Sequence, residues 1–473
     1  MFAKFRGGKI LSEAQSQIHD LLSRHVLLGL SRWQRSIRPS TRPVLKAFSE
    51  GLKFRRQASE WHEEQKRSWI LTQLRSTLRD AQKDTRFYKE LFFKIGFDAQ
   101  ADFSFEDFAR LPVLEREQVQ EQARDLMPAS FDKKKARRDA TGGSTGVPTE
   151  IWLGPTERGW SESGMEYFFE RLNVPAGTRT ALFWGHNLDP QAPTSLRDRY
   201  VGFVDNTRWF DCLRLSGDVL DDVHEQLQRW KPQLVIAYAS ALGHLAERVL
   251  EKNYKPNYPT RCFITGGEKL WPRHRDLIER AFSRPIHERY GGRDVSCVGI
   301  QLDNERTTPF TVDWANVLTE PETSDPDSPL LVTKLHADAM PMIRYRVGDI
   351  ARFPPTSRPG APTFVLEEVL GRDVDRIWLP NGRWISGLQI PHLLKDFPIR
   401  EFLFLQRADY SIELQIVPQD GFDESCLKII RGTVTANLPD LDVKIILRER
   451  IIRTQANKWR PVISEVSEAT GGK

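Results

Sequence analysis

The fold is decided by residues 234–292, which read LVIAYASALGHLAERVLEKNYKPNYPTRCFITGGEKLWPRHRDLIERAFSRPIHERYGG. Short apolar runs alternate here with longer segments in which apolar residues recur at helical spacing. The pattern predicts strands over Leu234–Tyr238, Cys262–Ile264 and Ile286–Tyr290, and helices over Ala241–Lys252 and Pro272–Phe282. Glycines follow two of the strands, and open α/β sheets bind ligands beyond the carboxyl ends of their strands. We therefore expect an α/β fold with a ligand site at that edge.

The alternation of strands and helices also occurs before residue 234, and a different pattern follows residue 306. Arg179–Trp184 predicts a strand, Val219–Trp230 predicts a helix, and residues 61–100 have a helical pattern. Strands prevail after residue 306, and a separate mixture of strands and one helix follows residue 371. We expect a large domain of α/β sheets with helices over residues 61–371, and a small mobile C-terminal α+β domain over residues 372–473 across a hinge.

The composition is that of an ordinary soluble protein. Of the 473 residues, 39% are hydrophobic and 28% are charged, which excludes a mostly disordered chain. The mean hydropathy is −0.49, and no apolar run approaches the roughly 20 residues of a membrane-spanning helix. The cysteines form no CxxC pair, which argues against a disulfide framework and a structural zinc site. We expect a reduced, cytoplasmic location.

Positive charge is concentrated in the first 60 residues. They hold 12 Lys and Arg residues and 4 acidic residues, a net charge of +8, whereas the rest of the chain carries −3. Since the body is nearly neutral, the overall charge says nothing about its substrate; the basic segment could contact nucleic acid, although no nucleic-acid partner is expected. Apolar residues between Ile18 and Leu28 share one helical face. Residues 1–60 are expected to form a basic, helical extension that either packs on the body or contacts an anionic membrane surface or a protein partner.

Residues 140–149, ATGGSTGVPT, are the strongest candidate for a phosphate-binding segment. Three glycines allow backbone N–H groups to turn toward an anion, and the Ser and Thr hydroxyls add donors without bulk. No lysine follows the last glycine, so the segment is not a Walker A loop. An ordinary hydrophilic turn is the alternative.

Four further segments carry candidate ligand-binding residues. Residues 265–268 (TGGE) and 289–294 (RYGGRD) each follow a predicted strand. At the carboxyl edge of a sheet, an aromatic ring can stack on a base, glycines leave room for it, and an acid can hold Mg²⁺. A tight turn after each strand is the alternative. In residues 340–350 (MPMIRYRVGDI), Asp349 either accepts both hydroxyls of a ribose or pairs with Arg344 or Arg346. Residues 453–460 (RTQANKWR) carry Lys458, and a basic tail is the alternative there.

In this order and at these separations, the five segments resemble the core motifs of the adenylate-forming superfamily of acyl-CoA synthetases, peptide-synthetase adenylation domains and luciferases. Within it the chain is similar to the phenylacetate–CoA ligase-like branch, including relatives from capsular polysaccharide gene clusters. Pro341–Asp349 matches the branch motif P-x-I-R-Y-R-x-G-D. Gly371–Asp373 matches the hinge, and Ile452–Lys458 matches the catalytic-lysine segment. The resemblance extends over residues 60–466.

The resemblance implies a reaction in two halves. A carboxylate attacks the α-phosphorus of MgATP to give an acyl-adenylate and pyrophosphate, and the acyl group then passes to a thiol, usually that of CoA. The implied nucleotide-binding residues are Thr141, Gly142, Gly143, Ser144, Thr145, Gly146, Thr149, Gly266, Gly267, Glu268, Tyr290, Gly291, Asp349 and Arg372.

Individual roles follow from the same resemblance. Tyr290 stacks on the adenine, Asp349 takes the ribose diol, and Asp294 holds Mg²⁺. Lys458 places a positive charge where negative charge gathers in the transition state, and Thr145 is the second implied catalytic residue. The implied acyl pocket, whose aromatic rim favours a flat or apolar acid, consists of Trp184, Gly185, His186, Tyr238 and Ser240.

The chain departs from the family pattern at several positions. Gly142 stands where Ser is usual, Asp294 where Glu is usual, and Asn457 where Gly is usual. Many branch members also have a Glu-Cys pair and a His after the metal-binding acid. Here those places hold Gln301-Leu302 and Phe310, so no second metal is expected.

The sequence thus predicts an ATP-dependent, AMP-forming acid–thiol ligase that acts on a small-molecule carboxylate and uses ATP, Mg²⁺ and CoA. A first alternative keeps the adenylation but passes the acyl group to a carrier-protein thiol or a sugar amine in surface polysaccharide biosynthesis. A second is a catalytically idle binding module docked through the basic N-terminus. No motif identifies the acid, the acceptor or the oligomeric state.

Overall fold

The computed structural model describes residues 42–140, 149–184, 202, 205–211, 217–305, 308–372, 376–379, 384–386, 390, 394, 397–437, 441–451 and 461–466. Its architecture confirms the predicted class: α/β sheets with helices form a large domain, and a smaller α+β unit follows.

The helices are α1 Arg42–Gln57, α2 Glu63–Asp84, α3 Arg86–Ile95, α4 Phe105–Ala109, α5 Arg116–Glu121, α6 Pro155–Arg171, α7 Gly217–Trp230, α8 Ala239–Glu251, α9 Pro272–Phe282 and α10 Glu424–Asn437. The strands are β1 Arg137–Ala140, β2 Glu150–Leu153, β3 Thr180–Trp184, β4 Thr207–Asp211, β5 Leu234–Ala237, β6 Cys262–Gly266, β7 Ile286–Gly292, β8 Ser296–Gln301, β9 Phe310–Val312, β10 Val317–Pro321, β11 Asp327–Lys334, β12 Tyr345–Arg352, β13 Val365–Leu366, β14 Glu368–Arg372, β15 Arg376–Trp378, β16 Trp384–Ser386, β17 Ile399–Gln406, β18 Ile412–Pro418, β19 Val443–Leu447 and β20 Val462–Ser464.

The main sheet has the strand order β13-β9-β8-β7-β6-β5-β3-β4 among the described residues. Strands β4, β3, β5, β6 and β7 run parallel, and β8, β9 and β13 add antiparallel pairs at one edge. One face packs on helices α7, α8 and α9 through residues such as Phe183 and Phe263. The other face packs on helix α6 through Phe168, Ile264 and Ile300. Burial on both faces explains the nearly continuous apolar runs of β5 and β6.

A second sheet, β10-β11-β12-β14, is antiparallel throughout. It shares the largest apolar core with helices α2 and α3, where Leu74, Tyr88 and Tyr345 are almost fully buried. Arg344 lies in this core and donates hydrogen bonds to both carboxylate oxygens of Glu320, at 3.0 and 3.1 Å. The sheet carries Asp349 on β12 and Arg372 on β14 directly opposite one another.

The C-terminal unit is built around strands β19-β18-β17-β20, with α10 packed on them. It contacts the large domain at helices α8 and α9. His244 lies 3.2 Å from Glu401, measured between Nε2 and Oε1, and the Arg273 guanidinium donates to the carbonyl oxygen of Ile399. Glu401 belongs to the C-terminal unit and is only 6% exposed, so its carboxylate is buried where the two units meet.

Helix α1 packs against helix α6 on the body of the large domain. Arg55 donates from Nε and Nη2 to the two carboxylate oxygens of Asp313, each at 2.8 Å, and both side chains are almost completely buried. A Cβ at Gly159 would overlap Ala47, so this glycine permits the close approach of the two helices. The expected basic extension therefore includes a helix that packs on the body, which is one of the two arrangements considered above.

The apolar face between Ile18 and Leu28 lies outside the described residues. Among the residues that are described, no helix has both the length and the apolar character needed to cross a membrane.

Candidate active site

The site is organised by the register of four parallel strands at the carboxyl edge of the main sheet. Phe183 pairs with Ala237 across β3 and β5, and Gly266 pairs with Arg289 across β6 and β7. Because side chains alternate along a strand, residues one position apart lie on opposite faces. One cross-strand row runs through the last residues of β3 and β6, Trp184 and Gly266, to Arg289 within β7, and its residues therefore share one face. Glu288 and Tyr290 lie on the other face.

The predicted acyl-pocket aromatics meet on the first of these faces. The rings of Trp184 and Tyr238 are stacked, with centroids 4.3 Å apart. Gly267 lies beneath them with φ +77°, and a Cβ there would lie 2.7 Å from Tyr238 and 3.3 Å from Trp184. The glycine is thus required both by its backbone conformation and by the close approach of the rings. Gly185 and His186, predicted for the same pocket, lie outside the described residues.

Glu268 and Ser240, predicted for the adenine edge and the acyl pocket, are joined directly. The backbone N–H of Ser240 donates to Glu268 Oε2 at 3.0 Å. Ser240 lies in the first turn of helix α8, whose N-terminus attracts a negative charge through its unpaired N–H groups. Glu268 therefore ties the turn after β6 to the end of β5.

Tyr290 and Asp349 are also brought together, although 59 residues separate them in the chain. The Tyr290 hydroxyl donates to Asp349 Oδ2 at 2.7 Å. A ring and a carboxylate thus stand side by side at one edge of the sheet, which suits a nucleoside that stacks its base and presents its ribose diol. The backbone of Arg372 lies opposite Asp349 in the β12–β14 pair.

The alternative ion pairs for Asp349 are not formed. Arg344 is engaged by Glu320 in the core, and Arg346 donates to Glu115 and Glu322. Strand β12 begins at Tyr345, so Arg346 lies within the strand and Arg344 directly precedes it.

Asp294, the predicted Mg²⁺ ligand, lies in the turn between β7 and β8 and is 8% exposed. The Tyr345 hydroxyl donates to its Oδ2 at 3.1 Å, and its Oδ1 lies so close to Gly292 that a Cβ there would overlap it. Among the described residues, no group of three or more His, Cys, Asp or Glu side chains could hold a metal ion. A single carboxylate fits Mg²⁺ well, since this ion commonly takes one or two carboxylates and completes its shell with phosphates and water.

The predicted phosphate segment connects the two strands of a hairpin. β1 and β2 are antiparallel, with Ala140 opposite Glu150, and residues 141–148 between them, including the predicted Thr141–Gly146, lie outside the described residues. Thr149 is fully buried and accepts a hydrogen bond from Gln120 at 2.9 Å.

Arg293 joins this hairpin to the turn that carries Asp294. Its Nη1 donates to Asp139 Oδ1 and to the carbonyl oxygen of Ala140, both at 3.3 Å. The segment between the hairpin strands therefore starts beside the candidate Mg²⁺ ligand. Sequence reasoning did not assign Arg293 a role, although its position between Gly292 and Asp294 was a usable signal.

A cavity of about 550 Å³ opens on the Tyr290 face of the sheet. Phe310, one of its lining residues, has its ring centroid 6.3 Å from that of Tyr290. Glu288 also lines it, accepts the Leu270 N–H at 3.0 Å, and has its pKa raised by burial to about 7. Sequence reasoning missed Glu288, although its spacing of two residues from Tyr290 on one strand predicts a shared face. Close to neutral pH this carboxyl group can donate as well as accept a hydrogen bond.

Two predicted residues of the C-terminal part are not located. Lys458 and the hinge residue Asp373 lie outside the described residues. Gly371 and Arg372, the other predicted hinge residues, form the end of strand β14 in the large domain.

Comparisons with known proteins show the same resemblance. No family model matches the chain. It is 20% identical over 268 residues to protein CapK of Staphylococcus aureus, and the match covers 56% of this chain but only 58% of CapK. It is 22% identical over 391 residues to the phenylacetate–coenzyme A ligase of Thermus thermophilus, covering 78% of this chain and 84% of that enzyme.

Among solved structures, 2-hydroxyisobutyryl-CoA ligase in its postadenylation state with 2-HIB-AMP has a TM-score of 0.66 at 19% identity, covering 86% of this chain and 90% of that one. This likeness shows the fold. Together with the sequence relatives, it confirms the resemblance predicted from the motifs: the chain has the fold of the adenylate-forming superfamily and is similar to its phenylacetate–CoA ligase-like branch.

Proposed function

We propose that this protein joins a carboxylic acid to ATP, forming an acyl-adenylate and releasing pyrophosphate, and then transfers the acyl group to CoA. The observation that carries the proposal is the Tyr290–Asp349 hydrogen bond of 2.7 Å. In it a ring that can stack a base, on the strand that leads into the turn carrying Asp294, stands beside a carboxylate that can accept a diol.

The two faces of the sheet at this edge bind different parts of the substrates. On one face Tyr290 stacks the adenine, with Glu288 toward its polar edge, and Asp349 takes the ribose hydroxyls. On the other face Trp184 and Tyr238 hold the acyl chain, and the resemblance adds Gly185 and His186 to that pocket. Gly266 and Gly267 lie at the carboxyl end of β6 between the two faces, and the acid meets the nucleotide beyond the carboxyl ends of the strands.

Charge neutralisation drives the first half-reaction. Asp294 would hold Mg²⁺, which would supply positive charge to the phosphates. The N–H groups and hydroxyls of Gly142–Thr149 hold the departing pyrophosphate, and Arg293 bonds the carbonyl oxygen of Ala140 just before that segment. Lys458, with Thr145, stabilises the charge that builds on the α-phosphate, and the second half-reaction follows when the small domain turns about Arg372 and Asp373.

The acyl acceptor is the second part of the proposal. CoA is supported by the match to phenylacetate–coenzyme A ligases. The alternative, implied by the resemblance to relatives from capsular polysaccharide gene clusters, is a different acceptor in surface polysaccharide biosynthesis, such as a carrier-protein thiol or a sugar amine.

Pyrophosphate release across a panel of carboxylic acids, with and without CoA, tests both parts. We expect acid-dependent release, and an acceleration by CoA if CoA is the acceptor. Asp349→Asn removes the charge that holds the ribose diol and should lower kcat/KM for ATP roughly 10- to 100-fold, the effect of a hydrogen bond to a charged group.

Asp420→Asn, at an exposed position of the small domain, serves as the control and should leave the rate unchanged. Pyrophosphate release that no acid stimulates would contradict adenylation and favour the idle binding module. Acid-dependent release that CoA does not accelerate would favour the alternative acceptors.

A further inference from the structure

One charged side chain on the acyl face of the site has no role in the reaction described above. Arg289 ends the row of residues that crosses β7 and β6, directly opposite Gly266. Its guanidinium carbon lies 5.5 Å from the centroid of the Trp184 ring. A Cβ at Gly266 would lie 3.3 Å from Arg289 Nε and 3.5 Å from Nη2, so the guanidinium covers the glycine closely. Arg289 therefore extends the aromatic wall of Trp184 and Tyr238 with a cation.

The neighbouring carboxylates are engaged elsewhere. Glu268 accepts the N–H of Ser240, and Asp313 is held at both oxygens by Arg55. Glu288, adjacent in sequence, lies on the opposite face of β7. Among the described residues, no hydrogen bond or ion pair engages the Arg289 guanidinium.

The half-buried guanidinium thus lacks an anionic partner within the described part of the protein. A guanidinium presents a planar fork of N–H donors that matches a carboxylate at two points, and such pairs are stronger and more directional than neutral hydrogen bonds. A cation in this position also disfavours a purely apolar acyl chain, because the chain would desolvate the charge without compensation.

We infer that Arg289 is a specificity-determining residue, and that the preferred substrate is an acid with a second anionic group, most simply a dicarboxylic acid. One carboxylate reacts with the α-phosphorus, and the other binds the Arg289 guanidinium beside Trp184. The inference rests on the proposed function and names the substrate class of the same site. It replaces the flat or apolar acid expected from the aromatic rim alone.

Pairs of acids with and without a second carboxylate test the inference. Acid-dependent pyrophosphate release is measured with glutarate against pentanoate, and with isophthalate against benzoate. We expect kcat/KM to favour the diacid in at least one pair, and Arg289→Gln to reduce that preference about 10- to 100-fold by raising KM for the diacid. Arg289→Lys keeps the charge without the fork and should retain part of the preference.

Arg280→Gln, at an exposed position of helix α9, is the matched control and should leave both ratios unchanged. Thermal unfolding of each variant shows whether the fold is intact. A wild-type preference for the monoacid in both pairs would overturn the inference, as would an equal rise in KM for both members of a pair in Arg289→Gln. Both outcomes leave adenylation standing, whereas the absence of release with all four acids and the wider panel would contradict the proposed function as well.

Discussion

The buried ion pair between helix α1 and the body gives a sharp test of the described packing. Arg55 and Asp313 are 3% and 4% exposed, and two hydrogen bonds of 2.8 Å join them. Arg55 also donates to Ser163 Oγ at 2.8 Å. Arg55→Met would leave the Asp313 carboxylate buried without its cation. Loss of one partner of a buried pair typically costs about 3–5 kcal/mol, a large part of the roughly 5–15 kcal/mol that stabilises a folded domain.

The assay is urea unfolding followed by tryptophan fluorescence, since Trp160 and Trp314 lie near the helix. Arg56→Met is the matched control on the same helix. The Arg56 side chain is 56% exposed and pairs with Glu170 at the surface, so its loss should cost less than about 1 kcal/mol.

A double variant separates charge from packing. Arg55→Met combined with Asp313→Leu removes both charges, and we expect it to be more stable than Arg55→Met alone because no unpaired carboxylate remains buried. If Arg55→Met costs no more than Arg56→Met, helix α1 does not pack on the body as described.

Three further predictions concern other parts of the molecule. Burial against Trp160 lowers the pKa of His336 to about 3. The contribution of His336 to stability is therefore complete above about pH 6.5 and is lost as the pH falls toward 3. His336→Phe should make the free energy of unfolding less dependent on pH in that window, by up to about 1.4 kcal/mol per pH unit. Glu401→Gln weakens the contact with His244 and should speed limited proteolysis between the domains severalfold, and an unchanged cleavage rate would rule out a contribution of that contact. Asp294→Asn should raise the Mg²⁺ concentration required for pyrophosphate release at least about tenfold, and an unchanged Mg²⁺ titration would reject its role as a ligand.

Elements with local signals were predictable from the sequence. Helix Pro272–Phe282 has the bounds that its pattern predicts, and helix Ala239–Glu251 begins two residues before the predicted Ala241 and ends one residue before the predicted Lys252. Each has clear periodicity and is bounded by residues that favour turns or helix starts. The strands at the site edge were predicted to within two residues for the same reason.

Elements that depend on distant partners were not predictable. Nothing near Arg55 indicates Asp313, which lies 258 residues away. Helix α6 contains Gly159 and Gly164 where an amphipathic helix would carry larger residues, because helix α1 and Asp313 occupy that space.

The candidate site likewise has parts that the sequence predicts and parts that it does not. Residue types and spacing pointed to Tyr290, Asp349 and Asp294, but the hydrogen bond between Tyr290 and Asp349 joins two different sheets. Alternation along β7 separates Glu288 from Arg289, and the cross-strand register shows which neighbours each one meets: Arg289 lies opposite Gly266 and beside Trp184. The choice of face determines whether a residue meets the nucleotide or the acid, and a single sequence without register cannot supply it.

Direct detection of the acyl-adenylate tests the central claim. The protein is incubated with ATP, Mg²⁺ and the best acid of the panel, without CoA, and the products are identified by mass spectrometry. The account predicts an acyl-AMP and pyrophosphate in the wild type, and about 10²–10³-fold less of both per unit time in Lys458→Ala, the usual loss for one electrostatic stabiliser. Formation of ADP with an acyl phosphate, or the absence of any acid-dependent product, would contradict it.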